Sequence, residues 1–321
     1  MTMSSRYILG IDTSNYKTSL AVVDDSMAIL CDIRRFLKVK QGEKGLRQSD
    51  ALFQHVRNLP EMMKEMRQQF NGEFLGVAYS SRPRPVEGSY MPVFLAGKTI
   101  AESLGAAMNI PVMEFSHQEG HIEAVKYFSD FRDEKSLMVC HFSGGTTELL
   151  RVDDNTGGYD ISIIGGTKDI SFGQVLDRAG VTLGMEFPAG RELDDMAVSA
   201  KTSSGRLTTI KVKDAFLNLS GIDTQINRTL KDAEAEDISM IIRELFEKLS
   251  SAMAEMIIQG ASASGITKVI MAGGVSSSRF IRKYLDGKLK DTGITAVFND
   301  NGLAQDNAVG TALLGGRKIW R

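Results

Sequence analysis

The sequence predicts an α/β protein built as two lobes, and three observations carry that expectation. Apolar strand-like runs alternate with longer segments of helical period. A strand–turn–strand unit near the start returns in the same design well over a hundred residues later, the mark of an internally duplicated fold. At 321 residues and 42% apolar content, the chain can bury a large core, most naturally divided in two.

The first unit pairs a strand over Tyr7–Ile11 with one over Thr18–Val23 across the polar turn Asp12-Thr13-Ser14-Asn15-Tyr16-Lys17. Residues 50–70 read as a helix, with Leu52, Val56, Leu59, Met63 and Met66 at helical spacing and Pro60 as a site of kinking or splitting. Leu75–Ser80 reads as a buried strand and Ala96–Met108 as a second helix, leading through Ile110-Pro111-Val112-Met113 into a histidine segment. The second unit pairs Ser136–Phe142 with Thr147–Val152 across Ser143-Gly144-Gly145-Thr146. Both units run into paired aspartates, Asp24-Asp25 and Asp153-Asp154. Phe172–Leu183, Asp237–Ser262 and Arg279–Leu289 read as helices, Lys268–Ala272 as a short strand ending in Gly273-Gly274, and a last helix opens near Asp306. Residues 202–236 are polar and read as loop or short helices. The expected lobes are 1–112, with a C-terminal helix of about 303–321 packing back on it, and 113–302.

Composition narrows the functional classes. Charged residues are 24% of the chain and the net charge is −2, so any RNA must be met by a local patch or a basic partner. Two cysteines provide no disulfide framework, which fits a reducing compartment. The apolar run Tyr7–Ile11 is too short for a signal peptide and no window approaches a membrane span, so the expectation is a soluble cytoplasmic protein.

His117-Gln118-Glu119-Gly120-His121 holds two of only four histidines. On a helix, that spacing puts both imidazoles on one face, one turn apart, ready to hold a metal through neutral ring nitrogens. A zinc peptidase of the H-E-x-x-H type needs its glutamate directly after the first histidine, as general base. Here Gln118 takes that place, and the glutamate follows one residue later, rotated by ~100°. Ser143-Gly144-Gly145-Thr146-Thr147 offers consecutive backbone N–H groups suited to phosphate or carboxylate oxygens, although any tight hairpin also favours glycine. Ala272-Gly273-Gly274-Val275-Ser276 stands at a strand end before a helix, where open α/β folds bind nucleotides, or where an ordinary strand-to-helix turn falls. Pro188-Ala189-Gly190 is a third candidate loop, and Asp306 opens the last helix as a cap with an oxygen to spare for a metal.

Taken in order, these pieces resemble the TsaD family, once described as O-sialoglycoprotein endopeptidases or M22 peptidases. Residues 8–14 are similar to its opening I-L-G-I-E-T-S, and residues 117–121 match H-x-E-G-H. Residues 142–149 are similar to V-S-G-G-H-T-Q-L, residues 219–221 to the start of F-S-G-L, residues 271–276 to A-G-G-V-S/A and residues 306–308 to D-N-A. The resemblance implies an actin-like ATPase (ASKHA) fold of two lobes, with nucleotide and metal in the cleft. It implies a tRNA-modification enzyme that moves a threonylcarbamoyl group from an adenylate to N6 of a tRNA adenosine, giving threonylcarbamoyladenosine. By position, His117, His121 and Asp306 hold one divalent metal, iron or zinc, and Asp12, His117 and His121 form the catalytic set. His141, Phe142, Ser143, Gly144, Gly145, Asp177, Gly190, Gly273, Gly274 and Ser278 line the site for ATP, AMP or the acyl-adenylate, with or without Mg2+; Asp177 addresses the ribose hydroxyls. The family pairs through first-lobe helices, which implies a protein partner of the tRNA-modification complex or a homodimer.

The chain departs from the family pattern at Tyr16-Lys17, where an acidic pair is usual, and at Thr146, Ser278 and Asp223, which replace histidine, asparagine and lysine. Residues 82–88, Arg-Pro-Arg-Pro-Val-Glu-Gly, stand where the family has a glycine-rich loop, so the chain reads as a divergent paralog. Two other readings remain open here. One is a non-catalytic nucleotide-binding subunit, which would tolerate loss of His117; the other is a small-molecule kinase, which would turn over ATP with Mg2+ alone. Arg82, Arg84, Arg34, Arg35, Lys38, Lys40, Lys44 and Arg47 form either a phosphate-binding patch or a solvated basic face.

Overall fold

The computed structural model describes residues 6–14, 16–38, 46–69, 72–298, 303 and 307–320. In chain order the elements are β1 (Arg6–Thr13), β2 (Lys17–Asp24), β3 (Ile29–Phe36), α1 (Gln48–Gln69), β4 (Glu73–Arg82), α2 (Phe94–Met108), β5 (Val112–Ser116) and α3 (His117–Tyr127). Then come β6 (Ser136–Phe142), β7 (Thr147–Asn155), β8 (Gly158–Thr167), α4 (Phe172–Thr182), α5 (Gly190–Ser199), β9 (Val212–Lys213), β10 (Phe216–Leu217), α6 (Ser220–Lys231) and α7 (Ile238–Ser264). β11 (Lys268–Ala272), α8 (Arg279–Leu289), β12 (Thr295–Phe298) and α9 (Val309–Trp320) complete the chain.

Two compact units result. One comprises Met1–Arg132, Asn155–Tyr159 and Asn301–Arg321; the other comprises Asp133–Asp154 and Asp160–Asp300. The boundary therefore lies at Arg132 and not at residue 112. The physical reason is α3, which packs on α9, β4 and β5 and so carries the histidine segment into the first unit.

The duplication legible in the two hairpins extends through both sheets. The first unit orders its strands β3-β2-β1-β4-β5, and the second contains β8-β7-β6-β11-β12, with β10 and β9 added beyond β8. In each, the hairpin is antiparallel (β1 with β2, β6 with β7) and its first strand continues into two parallel neighbours.

In the first unit, period-two alternation sends Leu9, Ile11, Leu20, Val22, Val77 and Tyr79 into a core closed by α1 and α2. The buried face of α1 is Ala51, His55, Leu59, Met62 and Met66, and Pro60 is accommodated on its solvent side without ending the helix. Val56, expected in the apolar stripe, is 55% exposed because His55 takes the inward position instead. The His55 ring lies 2.8 Å by Nε2 from the Ser14 carbonyl and 2.9 Å by Nδ1 from Thr18 Oγ1. A carbonyl only accepts, so Nε2 carries the proton, and burial keeps the ring neutral by pushing its pKa below the usual value. This bond ties α1 to the β1–β2 turn. The opposite face of the sheet is covered by α9 at contact too close for side chains: a Cβ on Gly10 would lie 2.5 Å from the Ala308 carbonyl oxygen.

The second unit is built around α7, whose Leu245, Phe246, Leu249, Met253, Met256 and Ile257 are fully buried. The polar stretch 202–236 contains β9, β10 and α6, and its entry loop is fixed by one buried carboxylate. Glu244 on α7 accepts from the Ser204 hydroxyl and from the backbone N–H groups of Arg206 (2.8 Å) and Leu207 (3.0 Å). Burial alone would raise its pKa, but these bonds and Lys248 outweigh it and hold the carboxyl below its ordinary value. Glu244→Gln is expected to cost about 2 kcal/mol at neutral pH, because the amide nitrogen cannot accept. A depressed folded pKa stabilises fully above about pH 5 and loses that contribution as pH falls through the folded value. Denaturant unfolding at pH 7 and pH 4 should therefore show the gap between wild type and variant narrowing in acid.

Candidate functional site

The first candidate site lies within the first unit, at the start of α3. The helix begins sharply because Ser116 and Glu119 form a reciprocal capping box: Glu119 N–H donates to Ser116 Oγ (3.2 Å), and Ser116 N–H and Oγ–H both donate to Glu119 Oε2 (2.7 Å each). Glu119 is thereby committed to the cap and is not available as a general base. The Gln118 N–H donates to the Pro83 carbonyl (3.0 Å), so the Arg-Pro-Arg-Pro segment covers the helix start.

His117 and His121 lie one turn apart, partly exposed, with rings at 90° and Nε2 atoms 3.0 Å apart. His117 Nδ1 stands 2.9 Å from Asp12 Oδ1, on a carboxylate with no solvent exposure. Ser80 on β4 donates its hydroxyl to the same Asp12 oxygen, and Thr311 Oγ1 on α9 lies 3.4 Å from Ser80 Oγ. Asp12 is itself held through its neighbour: Thr13 Oγ1 donates to the Val93 carbonyl (3.0 Å) and accepts from Gly97 N–H (3.2 Å) at the start of α2. Buried and aimed at His117, Asp12 acts on that ring.

The donor chemistry suits a divalent metal. Ligand nitrogens about 2.0–2.1 Å from a tetrahedral ion lie about 3.3 Å from each other, and the two Nε2 atoms are within a few tenths of an ångström of that spacing. The carboxylate behind His117 is the usual outer partner of a metal-ligating imidazole. Asp306, the third expected ligand, lies outside the described residues, and among the described residues no group of three or more His, Cys, Asp or Glu side chains could hold a metal.

The second candidate site lies within the second unit, a pocket of about 590 Å3, the size of small-molecule sites. It brings together Gly144, Asp177, Gly190, Gly274 and Ser278 of the expected residues. Asp177 accepts the Ala189 N–H by one oxygen (3.1 Å), and burial holds its carboxyl above the ordinary value despite that bond. α4 starts against the glycine turn, since a Cβ on Gly173 would meet Gly144 Cα and the Ser143 carbonyl oxygen at 2.5 Å. The Ser143 N–H is spent inside the turn, on the Thr146 carbonyl (2.8 Å), and of the turn's residues Gly144 is the one that lines the pocket.

Several expected pocket residues do other work. The Phe142 side chain is fully buried in the core, edge-on to Phe172 at 5.2 Å, so it does not line the pocket. Gly273 has φ 89° and would place a Cβ 2.3 Å from the Phe142 carbonyl oxygen, so backbone packing demands glycine there. His141 sits opposite Glu148 in the β6–β7 register. The Ser278 hydroxyl accepts from Ile281 N–H (3.1 Å) as the cap of α8 and donates to Asp194. It therefore has no proton left to offer a ligand. Asp194, Arg191 and Arg279 line the pocket without a sequence signal, since Asp194 caps α8 from a distant helix through Arg279 N–H and Phe280 N–H.

Three residues of the basic patch are paired with carboxylates: Arg34 with Asp32, Arg35 with Glu61 and Glu65, and Arg82 with Glu114. Lys40 and Lys44 lie outside the described residues. Asp223 pairs with Arg178 at 2.8 Å. Among the described residues no helix is long and apolar enough to cross a membrane.

Comparison with known proteins adds an independent finding. A family model for TsaD, tRNA N6-adenosine threonylcarbamoyltransferase, matches residues 38–313. A protein of that name from Neorickettsia sennetsu is 26% identical over 311 residues, 95% of this chain and 92% of its own. Another from Thermotoga neapolitana is 25% identical over 317 residues, 98% of this chain and 94% of its own. Among solved structures, full-length HypF in its phosphate- and nucleotide-bound form is similar with TM-score 0.63 at 13% identity, over 98% of this chain and 56% of that one. This chain thus spans about half of HypF. A ROK hexokinase from Thermus thermophilus is similar with TM-score 0.55 at 12% identity, over 96% of this chain and 97% of that one. These likenesses show the fold, that of the actin-like ATPases.

Proposed function

The chain belongs to the TsaD family, and from that premise we propose that it is a metal-dependent transferase, moving a threonylcarbamoyl group from an adenylate to N6 of a tRNA adenosine. The observation that carries this reading is that one family match, over residues 38–313, spans both the histidine pair and the pocket. In the reaction the adenosine amine attacks the carbamoyl carbon, a C–N bond forms, the C–O bond to phosphate breaks, AMP leaves with that electron pair, and the proton shed by the amine passes to solvent.

The residues divide the work. The pocket takes the adenine nucleotide, with Asp177 offering its second oxygen to ribose hydroxyls and the glycine turn at Gly144 facing phosphate oxygens. His117 and His121 hold the ion, iron or zinc, the metals suited to imidazole with a carboxylate. When bound, such an ion supplies Lewis acidity that polarises a carbonyl oxygen. Asp12 keeps His117 oriented. Exposed Phe53 and Val56 on α1 offer an apolar surface for a protein partner of the modification complex or a second copy of the chain.

Two binding measurements test this reading. The wild type should carry about one metal per chain and bind ATP or AMP, while the His117→Ala/His121→Ala variant should lose the metal and keep the nucleotide. A metal-free wild type that binds nucleotide and turns over ATP with Mg2+ alone would instead be a kinase. Within the pocket, Asp177→Ala should weaken AMP about tenfold by calorimetry, the loss of one hydrogen-bonded carboxylate.

A further inference from the structure

Ser80 belongs to none of the motifs, yet the fold brings it to the histidine pair. β1 and β4 are parallel neighbours with Ile11 opposite Tyr79. Those two side chains enter the core under α1 and α2, so the next residues, Asp12 and Ser80, turn together to the other face, where α3 and α9 lie. Both are fully buried. Ser80 has a single hydroxyl proton and gives it to Asp12 Oδ1, so a bond at the 3.4 Å contact with Thr311 runs from the Thr311 hydroxyl. Asp12 Oδ1 thus receives Ser80 from one side and His117 Nδ1, at 2.9 Å, from another.

A carboxylate can only accept, so the proton of His117 sits on Nδ1 and its Nε2 presents a lone pair. We propose that Ser80 is a positioning residue: by pinning Asp12 Oδ1 it fixes the tautomer and ring orientation of His117, with Nε2 held beside Nε2 of His121. The inference rests on reading the two histidines as metal ligands. Without Ser80 the carboxylate loses the hydroxyl that holds Oδ1 in place, and the angle at which Oδ1 meets His117 Nδ1 is less tightly set. Loss of such outer partners costs metal affinity about 10–100-fold.

The test uses the full chain and Co2+, whose visible absorption reports ligand geometry, with the imidazole 15N shifts of His117 as a metal-free readout. Ser80→Ala should bind Co2+ about 10–100-fold more weakly, with an altered band and with 15N shifts showing both His117 tautomers. Ser80→Thr, which keeps the hydroxyl, should restore affinity and band, whereas Ser80→Val, of nearly the same shape, should not. The Thr and Val pair also keeps the test valid if the alanine variant folds poorly. Wild-type Co2+ affinity, band and tautomer in Ser80→Ala, with binding abolished in His117→Ala, would overturn the role of Ser80 and leave the metal pair intact. Co2+ binding in wild type no different from that in His117→Ala would overturn the metal pair and this inference with it.

Discussion

Gly310→Ala is expected to be the most destabilising single-methyl change in the first unit. A Cβ at that position would lie 1.8 Å from the Gly120 carbonyl oxygen and 2.8 Å from the Ala124 nitrogen, both backbone atoms of α3. Neither can rotate away, so α3 and α9 must separate. Overpacking against yielding side chains costs about 1–3 kcal/mol; against backbone we expect at least the upper end. Thermal unfolding should fall by about 10 °C, at about 2–4 °C per kcal/mol for a chain of this class. Because α3 carries His117 and His121 while Asp12 is anchored on β1, the same separation should weaken metal binding. Gly287→Ala is the matched control. It lies in α8 with nothing within 4 Å of the added Cβ, and is expected to stabilise by about 0.5–1 kcal/mol.

Replacing either histidine by alanine is expected to lower tRNA modification at least about 10³-fold, or about 4 kcal/mol of transition-state stabilisation, in line with losing a Lewis acid. Losing one imidazole leaves the expected ligand set one short of the three protein ligands usual at a catalytic site, which should release the ion. His121 is partly exposed and its loss should move stability by less than about 1 kcal/mol, whereas His117→Ala also takes a partner from the buried Asp12 carboxylate and should cost about 1–3 kcal/mol while leaving the chain folded. AMP affinity should not change, since Asp177, Gly190 and Gly274 belong to the other unit. A drop in transfer without a drop in nucleotide binding or folding is the signature that assigns the pair to chemistry.

The sequence made the repetitive parts of this fold legible. The two hairpins, the long helices and the strand before Gly273-Gly274 announce themselves by local period and turn chemistry. What stayed hidden depends on distant partners. Nothing near Ser80 signals Asp12, and nothing near Asp194 shows that it caps α8. His55 is legible as a core residue only through Ser14 and Thr18, which satisfy its two ring nitrogens from 41 and 37 residues away, so the apolar spacing Leu52, Val56, Leu59, Met63 and Met66 includes exposed Val56 and omits His55. Gly120, a helix-weakening residue when read locally, has its reason in the Thr311 hydroxyl, 2.8 Å from where its Cβ would be. The boundary at residue 112 fails on the same ground, because the tie between α3 and α9 joins segments nearly two hundred residues apart. Phe142 and Ser278 show that a motif match does not say which atoms remain available to a ligand.

The most direct test of the account supplies purified chain with threonylcarbamoyl-adenylate and unmodified tRNA, then digests the tRNA and analyses its nucleosides by mass spectrometry. The account predicts threonylcarbamoyl on N6 of adenosine, made by the metal-loaded wild type and absent with the His117→Ala/His121→Ala variant. Unmodified tRNA, with ATP converted to ADP by wild type and double variant alike in Mg2+ alone, would contradict it and identify a kinase on the shared fold.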